Sequence, residues 1–232
     1  MCGRFSLATP AEQVAEHFGL TEVPALSPRY NIAPSQSVAV VRRPDSHEVP
    51  ILEFRRWGLI PSWAKDPGIG SRMINARVET AAEKPAFRAA FRRRRCLVPA
   101  DGFYEWKPHP KRRRPHHVRL ATGEPLGLAG LFESWESPEG ESVGSCTLLT
   151  TAANPVLSAL HDRMPIIVGP EDYGRWLDPD LQDPDAILSL TRSSLSERLV
   201  FHPVSFRVNN PRNDDSVCIE PTEQAELRVE DF

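Results

Sequence analysis

Removal of the initiator methionine, which is common before a small residue, would leave a chain beginning Cys2-Gly3-Arg4. A terminal cysteine carries a primary amine and a thiol on adjacent carbons. An α-amine has a pKa of roughly 7.7–8.0, far below that of lysine, so a useful fraction is neutral near pH 7. Neutral amine adds to an aldehyde to give an imine, and the thiol can then close on the imine carbon to form a five-membered thiazolidine. With both groups on one residue the second step is intramolecular, which favours it strongly. Gly3 would let the backbone approach a ligand closely. Taken alone, a cysteine at position 2 is more often incidental than chemical.

Three further residues could serve such a centre. His161 lies in Leu160-His161-Asp162-Arg163-Met164-Pro165, at an expected helix–strand junction. Histidine suits proton transfer near pH 7, although a lone histidine there is more often structural. Glu105 lies in Gly102-Phe103-Tyr104-Glu105-Trp106, where alternation puts Phe103, Glu105 and Lys107 on one face and Tyr104 and Trp106 on the other. A carboxyl among aromatic residues is open to desolvation, which raises its pKa and fits it for acid–base work. An edge carboxylate paired with a local arginine is the plainer alternative. Asn75, in Asn75-Ala76-Arg77, could hold a nucleophile or a developing oxyanion, and is equally readable as a helix cap.

The chain of 232 residues, 40% hydrophobic with five Trp and ten Phe, has the composition of a folded globular protein. No apolar stretch approaches the roughly 18 residues of a membrane span, and the N-terminus lacks the pattern of a signal peptide. A cytoplasmic, reducing location is the resulting expectation. Cys2, Cys96, Cys146 and Cys218 form no CxxC pair, so neither a zinc site nor a disulfide framework is expected. Cys96 and Cys146 lie in apolar runs and are expected in the core. No metal and no cofactor is implied.

The net charge of −3 conceals an asymmetry: residues 84–119 hold 12 Lys/Arg and two acids, and the remainder holds 16 basic and 29 acidic residues. A basic field of +10 on an acidic protein points to an anionic partner on one side. A solvated helix end plus a hairpin tip, the latter at HPKRRRPHH (109–117), fits the charge equally well.

The elements that must position these residues are short. Thr9-Pro10-Ala11-Glu12 matches a capping box, with Val14 and Phe18 on one helical face and Gly19 as a stop. Strands are expected at Ser37–Arg42, Val49–Trp57, Cys96–Pro99, Phe103–Lys107, His116–Leu120, Leu126–Phe132, Cys146–Thr151, Met164–Val168 and Leu199–Val204. Asn75–Glu83 turns into a helix. Further helices are expected over Pro85–Arg95, after Asn154-Pro155, and at Pro170–Leu177 and Asp185–Leu190. Runs of strands without βα alternation argue for α+β, a single compact domain over 1–232 with a largely antiparallel, barrel-like curled sheet. An acidic tail closes the chain at about 223–232.

MCGR at 1–4, RYNIAPSQ at 29–36, WGLIPSW at 57–63, NARVET at 75–80, RCLVPADGFYEW at 95–106, LLTTAAN at 148–154, HDRMP at 161–165 and HPVS at 202–205 together resemble the SRAP family (SOS-response-associated peptidase) over nearly the whole chain. The resemblance implies a compact α+β domain with a positively charged groove. It implies an activity that crosslinks covalently to abasic sites in single-stranded DNA, protecting the lesion through a thiazolidine. In that reading Met1 is removed, with self-processing as one route. Cys2 is the nucleophile, Asn75 helps position it or stabilises the open sugar, and Glu105 and His161 share the proton transfers. Arg4, Arg77 and Arg163 would clamp phosphates, and Pro34 and Trp63 would wedge or stack against bases flanking the lesion. The partner is single-stranded DNA containing abasic sites, bound by a monomer that is cytoplasmic and nucleoid-associated when on DNA. Two alternatives remain at this level. An N-terminal cysteine thiol hydrolase or peptidase would use the same nucleophile with its own amine as base. A non-covalent reader of damaged or modified DNA would not need Cys2 at all.

Overall fold

Between residues 37 and 152 the valine- and leucine-rich runs close into a barrel, and the N-terminal residues join a second sheet beside it. The computed structural model describes residues 2–222; Met1 and the acidic tail expected at 223–232 lie outside the described residues. In chain order the elements are β1 (Phe5–Leu7), α1 (Ala11–Phe18), β2 (Arg29–Ile32), β3 (Ser37–Arg42), β4 (Ile51–Trp57), β5 (Asn75–Arg77), α2 (Val78–Ala81), α3 (Arg88–Arg93), β6 (Arg95–Ala100), β7 (Gly102–Lys107), β8 (Arg114–Leu120), β9 (Leu126–Glu136), β10 (Ser142–Ala152), β11 (Arg163–Pro165), β12 (Ile167–Val168), α4 (Tyr173–Trp176), α5 (Pro184–Ser189) and β13 (Leu199–Pro203). Together they form a single mixed α+β domain.

The barrel is the ring β4–β3–β6–β9–β10, returning to β4. Every pairing is antiparallel except the closing one, where Ser145 and Cys146 run parallel to Arg56 and Trp57. Closure leaves the ring without an unpaired edge. β6 is buried at every position because it is a ring strand whose outer side meets β1, α3 and α4. Cys96 and Cys146 are buried in this core, as expected from their apolar surroundings. The short β5 adds to β10 in parallel, pairing Leu148 with Asn75 and Thr150 with Arg77.

The second sheet has the order β13–β8–β7–β1–β2. Alternation on β7 falls as anticipated: Phe103 joins the principal core, while Tyr104 packs in a second cluster with Val204, Val208 and Cys218, with Trp106 against it. Cys218 therefore has a packing role. Residues 206–219 form a strap beside this sheet. Asn31 Nδ2 donates to the carbonyls of Val208, Asn210 and Asn213, and Asp214 accepts the backbone N–H groups of Tyr30 and Asn31.

Several local expectations are corrected by tertiary partners. The capping box does not form: the Thr9 hydroxyl donates to Asp101 Oδ1 at 2.6 Å, and α1 starts after Pro10 without a side-chain cap. Val14 and Phe18 are buried, and Gly19 ends the helix in the left-handed region at φ 65°. Asn154 Oδ1 does accept the Leu157 N–H at 2.8 Å, but only a 3-10 turn follows, over Leu157–Ala159. The expected strand Met164–Val168 is two strands, because β11 pairs with β10 and β12 with β9. The helix expected over Pro85–Arg95 narrows to α3, with Arg95 already in β6.

Candidate active site

β1 positions the N-terminal residues. It pairs with β7 through Phe5 opposite Phe103, and the Tyr104 N–H donates to the Arg4 carbonyl at 2.9 Å. The residues before Phe5 therefore run back alongside Glu105 and Trp106. Cys2 is completely buried and belongs to the principal core. From the other side Asn75, held on β5, donates from Nδ2 to the Cys2 carbonyl at 2.7 Å. Asn75 Oδ1 is buried without a hydrogen-bond partner among the described residues, so an acceptor lies ready next to the N-terminal residues.

Burial pushes the Cys2 thiol well above its usual pKa, and the negative charge of Glu105 adds to the effect. The thiol is thus held neutral at physiological pH, with Sγ 3.9 Å from the Arg4 carbonyl oxygen. Burial also raises the Glu105 carboxyl, and the charge of His161 pulls it partly back. These mutual influences bring Cys2, Glu105 and His161 into one electrostatic neighbourhood, with Asn75 bonded to its first member. His161 is carried on the loop leading into β11. Its backbone N–H donates to the Leu157 carbonyl at 3.0 Å. Its Nδ1 accepts from the Arg163 N–H at 3.0 Å and lies 2.7 Å from Asp162 Oδ1. The first contact requires a bare nitrogen and the second one that carries hydrogen, so the tautomer of the ring selects between them.

Of the residues expected to hold phosphate or bases, Arg77 is exposed at the end of β5. Arg163 is committed inside the fold: it forms a fork with Glu79 at 2.7 and 2.9 Å and donates to the Thr150 carbonyl at 2.6 Å. That pairing lowers the Glu79 pKa, chiefly through the Arg163 hydrogen bonds. Arg77, Thr150 and Arg163 sit on three neighbouring strands. Arg4 is half-buried and donates from Nη1 to Asn31 Oδ1 at 2.7 Å and to the Val208 carbonyl at 2.8 Å, which ties the N-terminal segment to the strap. Trp63 is 59% exposed. Pro34 precedes Ser35, which has φ 69°.

The Pro34 turn and the Trp63 loop connect to Asn75 through Trp57. The Ser35 N–H donates to the Trp57 carbonyl at 2.8 Å, Trp57 Nε1 donates to the Ile74 carbonyl at 2.8 Å, and Leu59 N–H donates to the Met73 carbonyl at 3.1 Å. Gly58 makes this crossing possible. It has φ 133°, and a Cβ there would sit 2.6 Å from the Gly70 carbonyl oxygen. Gly58→Ala is accordingly expected to cost about 2–4 kcal/mol and to loosen Asn75, as measured by urea unfolding.

Asn31, Glu79 and Thr150 were not singled out in the sequence, although each falls inside a quoted motif. Their roles come from partners far away in the chain, and no local spacing signals them.

Residues 1–211 match the model of the family described as SOS response associated peptidase (SRAP). The chain is 41% identical over 224 residues to the abasic site processing protein YoqW of Bacillus subtilis, covering 95% of this chain and 99% of that protein. It is 38% identical to the abasic site processing protein YoaM of the same organism, with 95% and 98% covered. The fold matches the crystal structure of a protein from Bacteroides thetaiotaomicron at a TM-score of 0.84, with 23% identity and coverage of 96% and 100%.

Proposed function

Because the chain belongs to the SOS response associated peptidase (SRAP) family, we propose that it processes abasic sites in DNA by bonding covalently to the ring-opened sugar through the amine and thiol of Cys2. The observation that carries this reading is the meeting of Cys2, Asn75 and Glu105 at the N-terminal end of β1. Met1 must be absent for the amine to exist on Cys2.

The amine adds to the sugar aldehyde and, with loss of one water, gives an imine. The Cys2 sulfur then bonds to the imine carbon while its proton passes to the nitrogen, closing the thiazolidine. Glu105, kept protonated further up the pH scale by its burial, donates during ring opening and imine formation. Asn75 fixes the Cys2 carbonyl through Nδ2 and offers Oδ1 to the amine. His161 is the second acid or base, and it serves the reverse reaction as well. Arg77, exposed at the end of β5, serves a flanking phosphate, whereas Arg4 and Arg163 are held by Asn31 and Glu79 and shape the site from within, and Trp63, being exposed, offers a stacking surface. Pro34, in the turn that Ser35 ties to the Trp57 carbonyl, would wedge against a neighbouring base.

A thiol hydrolase would need a ready thiolate. The burial that raises the Cys2 pKa works against that and in favour of an amine-first sequence.

The test is incubation of the protein, with a verified Cys2 N-terminus, with a single-stranded oligonucleotide bearing one abasic site. A heat-stable band of lower mobility on a denaturing gel is expected without any reductant, and its absence would sink the proposal. Protein that retains Met1 or carries an N-terminal extension is expected to give no such band, since it lacks the amine on Cys2.

A further inference from the structure

The basic segment 84–119 divides in two. In its first part the arginines are largely engaged within the fold. Arg93 Nε donates to Gln182 Oε1 at 3.2 Å, and Arg94 pairs with Glu133. Arg95 is buried with its guanidinium on the carbonyls of Phe91, Arg92, Trp176 and Asp178. In the second part, the β7–β8 hairpin, Lys107, Lys111, Arg112, Arg113 and Arg114 form no ion pair with a described residue. Lys107 and Arg114 stand directly opposite one another across the two strands. Like charges so placed destabilise an antiparallel pair. The hairpin thus concentrates positive charge that no ion pair with a described residue offsets and that a bound anion would offset.

The position of the hairpin decides which anion. β7 runs through Glu105 directly into the tip, and the residues before Phe5 run back beside it. At ~3.3 Å per residue, Lys107 lies roughly 7 Å along the strand from Glu105. The Arg112 guanidinium carbon lies 4.4 Å from the Phe206 ring centroid, which holds the tip against the strap. Residues 108–113 contain no Phe, Tyr or Trp on which a base would stack, so the tip suits backbone phosphates and not bases.

We infer that the β7–β8 hairpin tip binds phosphates of the DNA strand to one side of the reacting nucleotide, through Lys111, Arg112 and Arg113, with Lys107 and Arg114 at its base. This rests on the proposed reading of the Cys2 centre as a DNA-lesion site, and it extends that site along the strand without adding sequence preference.

The experiment compares the wild type with Lys111→Ser/Arg112→Ser/Arg113→Ser in binding to undamaged and abasic single-stranded oligonucleotides across a range of salt. Each lost phosphate contact lowers the slope of log affinity against log salt by about 0.7. The triple variant is therefore expected to lose about 2 from the slope, to bind roughly ten- to a hundredfold more weakly at 0.1 M salt, and to converge on the wild type near 1 M. The exposed single substitution Lys111→Glu should move binding the same way without disturbing the fold. Equal slopes for wild type and both variants overturn the inference. A tip-dependent slope on undamaged strands with no adduct at abasic sites would instead overturn the proposed function and leave the phosphate contact standing. Adduct formation with a tip-independent slope would do the reverse.

Discussion

Cys2→Ala is expected to abolish the heat-stable adduct while leaving the protein folded. The alanine keeps an α-amine, so an imine with the sugar aldehyde still forms, but no sulfur remains to close the ring. The intramolecular second step supplies the advantage of a reactant held in place, which in well-oriented systems amounts to many orders of magnitude in effective concentration. The yield on a denaturing gel without reductant should therefore fall by at least about a hundredfold, and a band should return when borohydride is added to reduce the imine. An undiminished, reductant-independent band from Cys2→Ala would rule out the thiazolidine. Cys2 is buried in the principal core, so loss of its sulfur should cost about 1 kcal/mol of stability. A urea titration separates that modest cost from any loss of chemistry.

The second large effect is expected at Glu105. Removing a positioned acid–base group typically slows a reaction by about 10²–10⁴-fold, and Glu105→Gln should slow adduct formation within that range. The pH profile carries more information than the rate. In the wild type, the rising limb follows loss of the proton from the amine or the carboxyl, and the falling limb follows loss of the other. Glutamine has no proton to lose, so one limb disappears in the variant. The same substitution has the opposite effect on stability. Burial raises the Glu105 carboxyl in the folded state above its ordinary value. Between the unfolded and folded pKa values the native protein binds more protons than the unfolded chain, so stability falls as pH rises through that window. The glutamine variant lacks this loss. It should be at least as stable as wild type at neutral pH, and the difference should vanish below the ordinary glutamate pKa. A variant that is both slower and less stable at every pH would assign Glu105 a packing role instead. An inactive but stabilised variant would show strain retained for function.

Much of this molecule was legible in its sequence where the information is local. The strands at 37–42 and 102–107 are there because β-branched and aromatic residues alternate or run together, and the left-handed Gly19 ends α1 because only a residue without Cβ takes that conformation readily. The face that Glu105 shares with Phe103 follows from the two-residue period of a strand. The chemistry of Cys2 follows from covalent structure alone, as an amine beside a thiol.

What tertiary structure decided depends on partners far away in the chain. Thr9 looked like a helix cap, but Asp101 takes its hydroxyl. Arg95 looked like a solvated helix end, but it lies in β6 with its charge against four carbonyls. Arg163 lies beside His161 as expected, yet it is forked to Glu79, and Arg4 is tied to Asn31 and to Val208 in the strap. The raised pKa values of Cys2 and Glu105 likewise exist only because distant strands exclude water from them. Residue type sets which reaction is available, and its spacing sets the element that carries it. Burial and long-range pairing decide whether a charge is free, neutralised or suppressed, because desolvation depends on what surrounds a group in space and not on its neighbours in the chain.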